Sequence, residues 1–320
     1  MQETHHSSLT SHNLRIVFMG TPEFAVASLD ALVRAEFNIV GVVTALDKPA
    51  GRGMKLSESA VKKYAVEKGL RILQPEKLKN PSFLEELRSL HADVQAVVAF
   101  RMLPEVVWNM PPLGTINVHA SLLPQYRGAA PINWTIINGE KETGVTTFKL
   151  QHEIDTGNIL LQEKIKIGDD ETAGELHDRM KIIGAELLVK TIKGLMDGMV
   201  KEISQSESAN PKFEILHHAP KIFTETCKID WSKTVDEIYN LIRGLSPYPA
   251  AFTYLNNKIL KIYHAKKEFE VNAFDNGSVH TDGKTFLKFA CSDGFIHVTD
   301  IQLEGKKRIN VEDFLRGWRM

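Results

Sequence analysis

Three side chains in this 320-residue sequence have the types and spacing to move a proton and steady a negative oxygen. Asn117 and His119 lie two apart in the β-forming run Thr115-Ile116-Asn117-Val118-His119, which follows a turn at Gly114. Alternate residues of a strand face the same side, so an amide and an imidazole share one face. The third, Asp155, heads the turn Asp155-Thr156-Gly157 between two apolar runs. An imidazole titrates near neutrality and suits proton work, while an amide N–H suits a developing oxyanion. Asp155 would orient His119 and stabilise its charged form, or relay the proton; the sequence leaves both roles open. Neither a metal nor a covalent nucleophile is required by this set. Taken singly, each residue also has a plain structural use: a core histidine, a backbone-pairing amide, a turn aspartate. Their joint occurrence in this order favours the chemical reading.

The elements around them predict where they meet. Leu14 to Gly20 is a short apolar run read as a buried strand. Thr21-Pro22-Glu23 is read as a helix start, with Thr21 as the cap. Phe37 to Thr44 is the next strand, and this β-α-β opening predicts a Rossmann-like, doubly wound parallel sheet in an α/β domain. Asp93 to Phe100 is nearly continuous in apolar residues, as a central strand should be. In such sheets ligands bind at the carboxyl ends of the strands, which is where Asn117 and His119 fall. The segment Phe100-Arg101-Met102-Leu103-Pro104 leaves the central strand toward the same crevice. With one glycine, the turn at Gly20 lacks the dinucleotide fingerprint. Residues 47–55 are rich in Gly, Pro and positive charge and read as a mobile basic loop. Its Gly51-Arg52-Gly53 is suited to reaching a phosphate. Ser57 to Lys68 reads as a helix capped by Ser57.

Composition bounds the rest. With 43% hydrophobic residues and a net charge of −1, the chain has an ordinary globular balance and ample material for a core. Near-neutrality argues against a dedicated nucleic-acid coat, though not against a local basic face. Two cysteines without metal spacing point to a reducing, cytoplasmic setting, and no apolar run approaches a membrane span. The expected organisation is a polar leader over 1–13, a catalytic domain over 14–203, a linker over 204–221 and a C-terminal domain over 222–320. Short alternating strands punctuated by Asn256-Asn257, Asn276-Gly277, Asp282-Gly283 and Asp293-Gly294 make that last domain a small antiparallel β-barrel, OB-like in type.

Several motifs together resemble the methionyl-tRNA formyltransferase family. They are Phe18-Met19-Gly20-Thr21-Pro22-Glu23-Phe24-Ala25, Pro49-Ala50-Gly51-Arg52-Gly53, Asn117-Val118-His119 and Ser121-Leu122-Leu123-Pro124. Tyr126-Arg127-Gly128-Ala129-Ala130-Pro131 and Asp155-Thr156-Gly157 continue the likeness. Ile229-Asp230-Trp231-Ser232, Ser246-Pro247-Tyr248-Pro249 and Gly305-Lys306-Lys307 extend it to the C-terminal region. The resemblance implies a formyl donor, 10-formyltetrahydrofolate, and an acceptor, the α-amine of methionyl-initiator tRNA, with no metal. Ser121, Leu122, Leu123 and Pro124 resemble the family's folate-contacting strip, and Arg52 resembles its tRNA-reaching arginine. Asn117, His119 and Asp155 match the set shared by the wider formyltetrahydrofolate-using superfamily. The C-terminal barrel is implied to bind tRNA, and the protein is expected to act as a monomer. The chain departs from the family over Phe100 to Pro104, a segment that lines the pterin pocket there and is slightly longer in family members. Rival acceptors within the superfamily are water, sugar nucleotides and purine precursors. A folate-dependent RNA-binding module without turnover is the non-enzymatic alternative.

Overall fold

The computed structural model describes residues 13–50, 55–208, 216–270 and 273–317. Arg52, most of the expected leader and residues 209–215 of the expected linker lie outside them. The chain divides into two compact units. The first comprises Met1–Arg127, Gly144–Ile165 and Asp178–Leu216; the second comprises Gly128–Thr143, Lys166–His177 and His217–Met320.

The elements of the first 208 residues are β1 (Arg15–Gly20), α1 (Glu23–Arg34), β2 (Asn38–Val43), β3 (Lys48–Ala50), β4 (Lys55–Ser57), α2 (Ala60–Glu67), β5 (Ile72–Leu73), α3 (Pro81–Ser89), β6 (Val94–Val98), α4 (Glu105–Trp108), β7 (Thr115–His119), β8 (Arg127–Gly128), α5 (Pro131–Ile137), β9 (Glu142–Lys149), β10 (Ile159–Lys166), α6 (Ala173–Met196) and α7 (Gln205–Ser208). A seven-stranded sheet runs in the order β10-β9-β7-β6-β1-β2-β5. The pairs from β7 to β5 are parallel, as expected, but β9 joins β7 antiparallel. The sheet is therefore mixed, with a reversed edge that carries the Asp155 turn between β9 and β10. All five residues of β6 are buried, as a strand covered on both faces requires. Gly20 is needed for packing: a Cβ there would stand 2.6 Å from the Ala25 Cβ and 3.1 Å from the Val98 carbonyl. The glycine lets the first turn of α1 close on the strand end.

Two helix starts differ from the sequence reading. Pro22, not Thr21, is the cap of α1, and no side chain bonds there. Ser59, not Ser57, caps α2 through the Lys62 N–H, while Ser57 ends a strand. The flanks of the basic segment are also structured. β3 and β4 pair antiparallel, so the described part of 47–55 is strand at Lys48–Ala50 and Lys55. Asp47, at its base, is paired with Lys62 and accepts a 2.9 Å bond from Gln74. The stretch expected as linker opens on α7, directly after Ile203, which bridges Ile159.

The second unit continues with β11 (His218–Ala219), α8 (Thr224–Cys227), α9 (Val235–Leu245), β12 (Ala251–Leu255), β13 (Lys258–Phe269), β14 (Val279–Thr281), β15 (Leu287–Cys291), β16 (Gly294–Leu303), β17 (Ile309–Asn310) and α10 (Val311–Gly317). Its sheet runs β12-β13-β16-β15-β14, antiparallel throughout, with β17 added to β16. Amphipathic α9 covers it, held at its start by a reciprocal cap between Thr234 and Glu237. Ile238, Tyr239, Ile242 and Leu245 of α9 meet Leu260, Ile262, Phe289 and Ile296 of the sheet. Both cysteines, Cys227 and Cys291, are free thiols inside this core. Ile137 of α5 packs against the same core, and Asn133 donates 2.7 Å to the Gly244 carbonyl. Residues 128–143 and 166–177 are grouped by contact with the second unit. Among the described residues, no helix is long and apolar enough to cross a membrane.

Candidate active site

His119 ends β7 and is 7% exposed. Its Nε2 lies 2.9 Å from the Tyr126 carbonyl. A carbonyl only accepts, so Nε2 carries hydrogen and Nδ1 is the basic atom of the neutral ring. Nδ1 lies 3.9 Å from Asp155 Oδ2. That is too long for a direct hydrogen bond, and it sets a carboxylate beside the basic nitrogen. The ring edge rests on Phe148 at 6.4 Å and 84°. Asn117 is half-buried one strand step away and on the same face. Among the described residues its side-chain amide has no protein partner, so it does not merely pair with backbone. The structure therefore brings Asn117, His119 and Asp155 to one place in the first unit.

The turn that presents Asp155 is tightly built. Asp155 has φ +55°, and Tyr126, whose carbonyl holds His119, has φ +59°. Both are left-handed conformations that an L side chain adopts at a cost of about 1–3 kcal/mol. Gly157 lies so close to β9 that a Cβ would fall 1.6 Å from the Lys149 carbonyl. Gln205, 4% exposed, donates from Nε2 to the carbonyls of Asp155 and Gly157, both at 2.8 Å. Its Oε1 accepts from Arg127 Nε at 3.0 Å and Nη2 at 2.5 Å. Arg127 thus bears on the Asp155 turn through this glutamine. Sequence reasoning missed Gln205, which sits in a polar stretch without periodicity and carries no local signal.

The strip after β7 is fixed largely from within. Ser121 Oγ donates 2.6 Å to the Gln125 carbonyl and is wholly buried, and Leu123 is 2% exposed. Thr146 Oγ1 donates to the Ser121 carbonyl at 2.6 Å and accepts from Leu123 N at 3.1 Å. Gln162 donates to the Leu123 carbonyl at 2.9 Å. Of the strip, Leu122 and Pro124 keep half-exposed surface. Near the carboxyl ends of β5 and β6, an open groove of about 560 Å³ is lined by Glu76, Leu78, Met102, Leu103 and Pro104 among others. Arg101 anchors its wall by donating to the carbonyls of Glu76 at 2.8 Å and Pro75 at 2.5 Å. Arg52 lies outside the described residues, so its placement is not part of this geometry. Among the described residues, no group of three or more His, Cys, Asp or Glu could hold a metal ion.

An amide without a protein partner among the described residues and an imidazole whose basic nitrogen lies beside a carboxylate are a set suited to group transfer of the acyl type on an α/β scaffold. Residues 14–192 match the family described as Formyl transferase, and residues 221–319 match Formyl transferase, C-terminal domain. The chain belongs to the formyl transferase family. It is 56% identical over 317 residues to the methionyl-tRNA formyltransferase of Parabacteroides distasonis, covering 97% of this chain and 98% of that one. It is 52% identical to the enzyme of that name from Flavobacterium johnsoniae, covering 95% of this chain and 96% of the other. Among solved structures, WlaRD, a sugar 3N-formyl transferase crystallised in the presence of dTDP and 5-N-formyl-THF, matches with a TM-score of 0.66. It is 22% identical, with 92% of this chain and 99% of that one covered, so the likeness is one of fold.

Proposed function

We propose that this protein transfers the formyl group of 10-formyltetrahydrofolate to the α-amine of methionyl-initiator tRNA, giving N-formylmethionyl-tRNA and tetrahydrofolate. The observation that carries the choice of acceptor is the full-length likeness to enzymes named for methionyl-tRNA, which includes the C-terminal unit. The site chemistry supports it independently. The α-amine has an ordinary pKa of about 7.7–8.0, so its neutral form is available near neutrality. The amine attacks the formyl carbon, and the Asn117 amide donates to the oxygen as it becomes negative. His119 Nδ1 takes the proton that the amine loses, and Asp155 stabilises the resulting imidazolium across 3.9 Å. The same proton then passes to the folate nitrogen as its bond to the formyl carbon breaks. Because Tyr126 already sets the ring orientation, Asp155 acts chiefly through its charge.

The folate occupies the region bounded by the Ser121–Pro124 strip and the groove beside Met102. Leu122 and Pro124 offer side-chain surface, while Ser121 and Leu123 shape the strip from inside. Arg52 reaches the tRNA backbone, and the C-terminal unit supplies further tRNA contact. The protein acts as a monomer in the cytoplasm, where charged tRNA is made. The purified protein, given 10-formyltetrahydrofolate, should formylate methionyl-tRNA and leave glycinamide ribonucleotide and amino-sugar nucleotides unmodified. Activity on those controls alone would overturn the proposal.

A further inference from the structure

We infer that Gln205 is a positioning residue for the reaction: its side-chain amide holds the turn that aims the Asp155 carboxylate at His119. The inference rests on the proposed function for its kinetic consequences, and on geometry alone for the rest. Gln205 stands between a group that only donates and two that only accept. The Arg127 guanidinium must meet Oε1, so both Nε2 hydrogens are directed at the carbonyls of Asp155 and Gly157. With Gln205 4% exposed, water is a poor substitute for either bond. One of these carbonyls belongs to the left-handed Asp155 itself, φ +55°, and the other lies two residues on, so the amide clasps the turn from Asp155 to Gly157. Gln205 is itself tied down from the preceding residues. Ile203 exchanges backbone bonds of 2.8 and 2.9 Å with Ile159, and Glu202 accepts from Asn158 at 3.0 Å and pairs with Lys149 at 2.6 Å. The stretch from Glu202 to Gln205 is thus a strap laid along the turn, gripping it on both sides of Gly157.

Gln205→Glu separates this role from simple packing. The variant keeps the shape and the acceptor for Arg127, but sets carboxylate oxygens against two carbonyls. Its kcat should fall about 10²-fold, the usual effect of a misplacement near 1 Å, while both KM values stay within about threefold. A crystal structure of the variant should show the Asp155 carboxylate displaced from His119. Arg127→Met removes the donor that fixes the amide's orientation, so Nε2 is no longer held on the turn carbonyls and kcat should fall about tenfold; this second variant decides the matter if Gln205→Glu does not fold. Unchanged kcat, a loss confined to KM, a loss that vanishes when corrected for folded fraction, or an Asp155 still about 4 Å from His119 would each overturn the inference. A parent protein inactive on methionyl-tRNA would sink the proposed reaction instead, and the crystal comparison would still decide the positioning.

Discussion

His119 has one nitrogen committed and one open, and that asymmetry sets what its loss should do. His119→Ala removes the proposed proton carrier and should lower kcat by about 10²–10⁴-fold with folate affinity retained, as single-turnover formylation and a folate-binding titration would show. Asn117→Ala deletes the proposed oxyanion donor and should cost about 2.7–4 kcal/mol in the transition state, read from kcat/KM. Gly157→Ala should prevent the turn from forming, because its methyl would collide with the Lys149 carbonyl; thermal unfolding should show a loss of about 3 kcal/mol or more. Asn117 and His119 were legible in the sequence because strand alternation alone puts them on one face. Asp155 was legible as a turn residue, and the turn's place against His119 needed the reversed edge strand. Gln205 was not legible at all. Its partners are two backbone carbonyls and an arginine far away in the chain, and backbone groups leave no trace in side-chain pattern.

Helix caps and straps make smaller, local contributions. Thr234 and Glu237 satisfy two free N–H groups at the start of α9, so Thr234→Ala should cost about 1 kcal/mol in denaturant unfolding. The Glu202 carboxyl is held below its ordinary range by Lys149 and then Asn158, against the opposing effect of burial. A depressed carboxylate adds stability above its unfolded pKa of about 4.3, and that stability is lost as pH falls through the lower folded value. Glu202→Gln should therefore destabilise near neutrality by no more than about 1 kcal/mol, since the group is partly solvated. Parent and variant should converge in acid, as urea midpoints across pH would record. The parallel strands could be read from β-α-β order and apolar runs. The antiparallel β9 could not, because a hairpin edge uses the same residue types as a parallel one. Caps were misplaced by one or two residues at Pro22 and Ser59, since several capping candidates stand close together and tertiary packing selects among them.

At the scale of the whole chain, sequence order and compact units do not coincide. The sequence shows where composition changes near residue 204, but not that 128–143 and 166–177 pack with residues beyond 217. Such membership depends on contacts such as Ile137 with the C-terminal core, which span about a hundred residues and have no periodic signature. A fragment ending at Ser208 should leave α5 without its apolar partners. It should aggregate, or bind a hydrophobic dye, where the intact chain does not; a fragment as soluble and as cooperative as the parent would contradict this. The placement of the two sulfurs has a practical corollary. Both belong to the second unit and neither to the first, so a thiol-reactive chromophore added under mild denaturant would record the opening of that unit alone. Compared with the far-ultraviolet signal of the entire chain, its rate would tell whether the two units come apart together or in sequence, with no label engineered in.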